Sequence, residues 1–245
     1  MQKTTIEMQA KGLDYQALNA SLRALGAAQV AVHGVMGQRY LGCGMQDQCL
    51  KLYGTPGNGL GQYLSGGTIE VFGSAQEATG DTMNAGEIIV HGRCGDAAGY
   101  GMRGGRILIR DEVGYRAGIH MKAYQEKIPV LIVGGEAGSF LGEYQAGGCI
   151  AVLGLETRGR APVGDFCATG MHGGVLYLRA DALPEDLPAQ VMAVQAEEAD
   201  LAFLRPHVAD FCRAFSLDVS QVMDHRFYVL RPNTHNPYHR LYTQN

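Results

Sequence analysis

The chain has 245 residues, enough for one large domain or one domain with terminal additions. Its 35 glycines are about twice the usual share, yet 46% hydrophobic content argues against a disordered or collagen-like chain. A net charge of −4 without a long basic run argues against a nucleic-acid partner, and the absence of any run of eighteen apolar residues argues against a membrane-spanning helix.

The first segment, residues 1–35, reads as a small α/β cap. Met1 to Gly12 is polar and lacks the apolar centre of a signal peptide, so no secretory leader is expected. Leu18, Leu22 and Leu25 repeat at helical spacing, with Asp14 placed to cap the helix start and Gly26 to end it. Gln29 to His33 then alternates like a strand. A cap of this kind covers the exposed end of a stacked sheet.

The second segment, residues 36–180, is a repeat. Gly67, Gly86 and Gly105 stand nineteen apart, as do Ile69, Ile88 and Ile107, and Gly80, Gly99 and Gly118. A fixed period near twenty predicts a solenoid in which each coil buries its apolar face against its neighbours. Nineteen is not a multiple of six, so a left-handed hexapeptide helix is disfavoured. No leucine and asparagine frame recurs to suggest leucine-rich repeats. The expected fold is a right-handed parallel β-helix. The glycine columns mark turns that need positive φ or close backbone approach. The regular strands are read at Gly67–Val71, Gly86–Val90 and Gly105–Ile109. Further strands follow at Val130–Val133, Gly148–Val152 and Gly173–Tyr177, with an insertion at Lys122–Pro129 and a loop at Glu156–Pro162. Alternation assigns Ile69/Val71, Ile88/Val90, Ile107/Ile109, Val130/Ile132, Ile150/Val152 and Val175/Tyr177 to the interior. It leaves Leu131/Val133, Ala151/Leu153 and Leu176/Leu178 outside as an apolar strip that calls for a cover.

The third segment, residues 181–245, supplies the cover. Val191, Val194, Leu201, Leu204, Val208, Phe211 and Phe215 keep one helical stripe, with a polar gap at Glu198 and a kink or break expected at Pro206. From Phe227 to Arg231-Pro232, and on through Asn236 to Tyr242, the chain reads as an extended arm.

Candidate chemistry is sparse. Arg116, His120 and Lys122 cluster with Tyr115 and Tyr124 and offer anion binding or acid–base work. The simpler account is that they line the outer surface and fix the turn into the insertion. His172 takes a turn position filled elsewhere by Ala85 and Gly104, and reads as a structural histidine. Gly57 to Gly61 lacks the helix and lysine of a phosphate-binding loop. The six cysteines form no CxxC and no disulfide spacing, which fits reduced thiols in a cytoplasmic protein; neither Cys94 nor Cys167 lies in a nucleophile signature.

The coils Gly61–Gly67, Gly80–Gly86 and Gly101–Gly105, with Gly37-Gln38-Arg39-Tyr40, Gly118–Lys122, Phe140–Tyr144 and Gly170–Gly174, resemble the GxGxG domain of glutamate synthase in its stand-alone form. That resemblance implies a non-catalytic scaffold in a glutamate-synthase-like complex of nitrogen metabolism. It would hold an amidotransferase subunit against an FMN-binding subunit so that ammonia passes between them. FMN and iron–sulfur clusters are then expected on the partners and no cofactor on this chain. Related expectations are a subunit of N-methylglutamate synthase or a methylamine-glutamate enzyme and, more distantly, a protein like the formylmethanofuran dehydrogenase subunit built on the same repeat. Two other classes stay open: a self-associating β-helix binding module, and a β-helix enzyme acting through Arg116, His120 and Lys122.

Overall fold

A computed structural model describes residues 5–26 and 28–233. Its described residues form one eleven-stranded sheet, ordered β1-β2-β3-β4-β5-β6-β7-β8-β9-β11-β10. Nine strands run parallel: β1 (Thr5–Gln9), β2 (Gln29–Met36), β3 (Cys49–Thr55), β4 (Ser65–Phe72), β5 (Ala85–Val90), β6 (Arg106–Ile109), β7 (Val130–Val133), β8 (Ala146–Val152) and β9 (Gly173–Arg179). Five of the coils also bridge one another on the opposite wall, through Ala75, Cys94, Val113, Ala137 and Val163. This is the expected solenoid, an all-β coil stack with helices laid on it.

The interior ladder runs Leu50, Ile69, Ile88, Ile107, Leu131, Ile150 and Leu176, all aligned by register and all essentially buried. Neighbouring rungs lie about 4.8 Å apart, the distance at which branched apolar side chains touch. Two strands differ from the expected phase. In β7 and β9 it is Leu131/Val133 and Leu176/Leu178 that face inward, while Val130/Ile132 and Val175/Tyr177 face outward. A slip of one residue exchanges the faces of a strand. Val130–Val133 is apolar on both faces, so alternation carries no phase there, and the insertion before it breaks the nineteen-residue count.

The start behaves as expected. Helix α1 (Tyr15–Ala24) begins at Asp14, whose side chain accepts a hydrogen bond from Ala17 N–H (2.8 Å), and Leu18 and Leu22 are buried against the first coil. Gln48 secures the helix from below by donating to Leu22 C=O at 2.7 Å.

The C-terminal region covers the later coils as expected but is built differently. Val191 and Val194 belong to a strand, β10 (Val191–Gln195), not to the helical stripe. Helix α2 (Glu198–Phe215) starts where the polar gap was read, because Glu197 and Asp200 form a reciprocal capping box. Pro206 sits inside α2 without ending it. Both Pro206 and Ala202 are exposed, so the Ala202 carbonyl that loses its N–H donor faces water. After the short α3 (Val219–Met223) comes β11 (Phe227–Pro232). This first part of the expected arm is a sheet strand, antiparallel between β9 and β10. The remainder, Asn236 to Tyr242, lies outside the described residues.

Leu204, Val208, Phe211 and Cys212 of α2 pack on Leu108, Val130, Ile132, Cys149, Ala151 and Tyr177, the outer face of the later coils. Polar ties fix the helix along the strands. Arg106 pairs with Asp210 and with Glu87 (2.9 Å), Arg231 pairs with Asp200, and Tyr177 OH donates to Asp200 C=O at 3.3 Å.

Candidate functional site

Each coil returns through one turn with three left-handed residues at alternating positions. In the fifth coil they are Arg116 (φ 57°), Gly118 (66°) and His120 (54°); in the third, Ala78 (57°), Gly80 (70°) and Thr82 (51°). The middle position points into the core and the flanking two point out, so any side chain at the flanks is displayed on the edge of the solenoid. This is the physical origin of the alternating glycine pattern.

Aromatic and cationic groups occupy that edge. Tyr63, Tyr100, Tyr115 and Phe166 are 51%, 41%, 58% and 52% exposed, a density of large apolar rings that a free surface rarely shows. The His120 ring stacks on Tyr144 (5.3 Å) and meets Tyr100 edge-on (5.8 Å). Phe140 stacks on Phe166 (5.0 Å), and the Arg116 guanidinium lies 5.2 Å from the Phe140 ring centre. Rings also lie over bare backbone: a side chain at Gly170 would place its Cβ 2.5 Å from the Tyr144 ring.

The structure thus brings Arg116 and His120 onto one turn, with Lys122 exposed two residues on. Arg116 pairs with Glu143 at 3.3 Å, whereas Lys122 and Arg103 make no ion pair among the described residues. His172 stands apart. Its N–H donates to Gln145 C=O as Lys122 N–H does to Met102, Arg103 N–H to Met83 and Asn84 N–H to Leu64. Its column is therefore Asn84, Arg103, Lys122 and Ala146, one position earlier than the Ala85 and Gly104 column expected. The lengthened loop between Ile150 and Leu176 removes the count that would have placed it. Its Nδ1 lies 3.0 Å from Gly170 C=O.

This edge is open: among the described residues no wall excludes water from His120, so it lacks the enclosure that acid–base chemistry exploits. Its Tyr, Phe and Arg side chains are of the types that concentrate binding energy at protein interfaces. Burial pushes three of the thiols, Cys94, Cys149 and Cys167, up to about 12, which keeps these three protonated and poorly nucleophilic.

Two further features escaped the sequence reading. A groove of about 850 Å³ runs between the later coils and the end of α2, lined by Arg93, Arg110, Glu112, Glu136, Glu156 and Phe215. Most of its charges are paired: Arg93 with Glu112 (3.7 Å), Arg110 with Asp111 (3.5 Å), and Glu136 with Arg160 outside the groove (2.6 Å). The Arg160 hydrogen bond, reinforced by Thr157, holds the Glu136 carboxyl below its ordinary range despite partial burial. On the uncovered half of the outer sheet face, His33, Tyr53, Phe72 and His91 stack at 4.6, 4.7 and 4.8 Å, a ladder that the nineteen-residue step from Tyr53 to Phe72 to His91 could have disclosed. Among the described residues no group of three or more His, Cys, Asp or Glu side chains could hold a metal ion, and no helix is long and apolar enough to cross a membrane.

Comparison with known proteins bears on identity. The fold matches a chain of the formyltransferase/hydrolase complex FhcABCD of Methylorubrum extorquens, solved in complex with methylofuran. The TM-score is 0.66 at 19% identity, over 94% of this chain and 100% of that one. In sequence, the chain is 39% identical over 251 residues to the uncharacterized protein MJ1350 of Methanocaldococcus jannaschii, covering 97% of this chain and 96% of the relative. The expected membership in the glutamate synthase large-subunit family, with its role in glutamate and nitrogen metabolism, is corrected by the match to the formyltransferase/hydrolase complex. The physical reason is that the motifs behind that expectation are turn motifs. Gly118–Lys122 and Gly170–Gly174 serve the left-handed turn and the close coil contacts, which any solenoid of this type needs. The family model for the GXGXG motif matches residues 2–233, and the chain belongs to that family.

Proposed function

We propose that this chain is the non-catalytic β-helix subunit of a multi-subunit complex of the formyltransferase/hydrolase type, comparable in role to the formylmethanofuran dehydrogenase subunit built on the same repeat. What supports the reading is the end-to-end correspondence with one chain of such a complex, over 94% of this chain and all of the other. The stacked turn edge is consistent with it. A rigid rack of coils presents Tyr100, Tyr115, Arg116, His120 and Phe166 at fixed spacing, and preorganised side chains lose little entropy when a partner docks. In this role the chain sets the distance between catalytic subunits and does no chemistry. The six free thiols fit a reducing, cytoplasmic setting.

Affinity purification of the tagged chain from its native source tests the proposal. Formyltransferase- and hydrolase-type subunits are expected to co-elute, and the isolated chain is expected to show no formyl-transfer activity. Replacing Arg116→Glu together with Tyr115→Ala should release those partners at least about tenfold more readily, as the loss of one interface hot spot does, with the melting temperature unchanged. Recovery of the chain without such subunits, or turnover by the chain alone, overturns the reading.

A further inference from the structure

The sheet has two ends, and they are guarded unequally. At one end β1 carries Glu7, 2.7 Å from His33, and a charge on an edge strand opposes pairing with another chain. At the other end β10, Val191-Met192-Ala193-Val194-Gln195, has no charge, no proline and no register shift. It also exposes apolar surface. Met192 and Val194 are 48% and 40% exposed on the face that carries α2, where Val194 lies opposite Val229 and Phe203 of α2 is 39% exposed beside Tyr177. The backbone is open there as well. Asn233 N–H donates to Gln190 C=O (2.9 Å) and Ala196 N–H to Phe227 C=O (2.8 Å). Hydrogen-bonded pairs alternate along an antiparallel ladder, so the even-numbered residues of β10 bond to β11. The N–H and C=O of Ala193 point to the edge that no described strand occupies.

We propose that β10 pairs antiparallel with β10 of a second copy of this chain, about a two-fold axis through Ala193, joining two sheets into one. The strand suits its own reversed copy. With Ala193 opposite Ala193, Met192 faces Val194 and Val191 faces Gln195, so no charge meets a like charge and no apolar side chain meets a charge. Met192 and Val194 of both copies then form one patch, the isologous contact that closes at two subunits. This inference is independent of the partner-binding role, which uses the turn edge.

The full-length chain in size-exclusion chromatography with light scattering should run at twice its 26.3 kDa mass. Ala193→Pro removes only an N–H aimed away from β11, and Val194→Lys places a charge on the patch; each should halve the mass without changing the melting curve. Ala193→Cys should cross-link the pair on mild oxidation, because the Cα separation of a hydrogen-bonded pair, about 5.5 Å, suits a disulfide. A wild-type monomer, a dimer that survives both Ala193→Pro and Val194→Lys, growth beyond two copies, or no cross-link in a dimeric Ala193→Cys protein would each overturn the proposal.

Discussion

Seven coils pass through the same left-handed turn, yet its middle and flanking positions are filled by different residues. The flanks hold Tyr63, Thr82, Arg116, His120, Phe140 and Tyr144 at φ between 51° and 62°. The middle holds glycine in every coil but the last, where Ala168 adopts φ 60°. Positive φ alone therefore does not demand glycine here. What demands it is the next coil: a Cβ at Gly42, Gly61, Gly80 or Gly118 would lie 2.3–2.6 Å from the Cδ1 of Ile69, Ile88, Ile107 or Ile150. Where the next coil offers leucine the space opens, to 3.7 Å at Gly99 and 3.3 Å at Gly142. Ala168 belongs to the last coil, after which the ladder passes to Leu230 of the antiparallel β11 and offers no isoleucine. Handedness sets a modest strain that many side chains tolerate, and steric contact between coils decides the residue.

That comparison is open to breakage in four steps of decreasing size. Gly80→Ala should cost about 2–4 kcal/mol in urea unfolding, because strain at φ 70° adds to overpacking against Ile107. A cost no greater than that at Gly99 would remove the role given to the isoleucine. Gly99→Ala should cost about 1–2 kcal/mol, the left-handed strain by itself. Combining Gly80→Ala with Ile107→Val sharpens the point. Ile107→Val alone should cost about 0.5–1.5 kcal/mol, but in the Gly80→Ala background it should be neutral or stabilising, a coupling that a double-mutant cycle reads directly. The smallest effect is expected at a flank: Ala78→Gly should stabilise by no more than about 1 kcal/mol, since relief of the left-handed strain slightly outweighs the entropy glycine adds to the unfolded chain.

The two halves of the outer sheet face show how far the candidate site could be read from residues. The later coils were expected to need a cover, and α2 provides it, because apolar positions such as Ala151 and Leu153 carry that signal locally. The turn edge was found only in part. Arg116 and His120 are near in sequence and were grouped, but the stacking of His120 on Tyr144 and of Phe140 on Phe166 spans coils interrupted by insertions. The groove beside α2 left no trace at all, since Arg93, Glu136, Glu156 and Phe215 share no motif and meet only through the fold.

By itself the sequence determined the coil, the period, the α1 cap at Asp14 and the Ala151/Leu153 part of the face awaiting a helix, because each rests on contacts that recur at fixed spacing or lie within one turn. Only the tertiary structure decided the phase of β7 and β9, the column of His172, the strand identity of Val191–Gln195 and the insertion of β11 between β9 and β10. Those outcomes depend on which of two apolar faces finds the core and which strand finds an open edge, choices settled by neighbours distant in the chain.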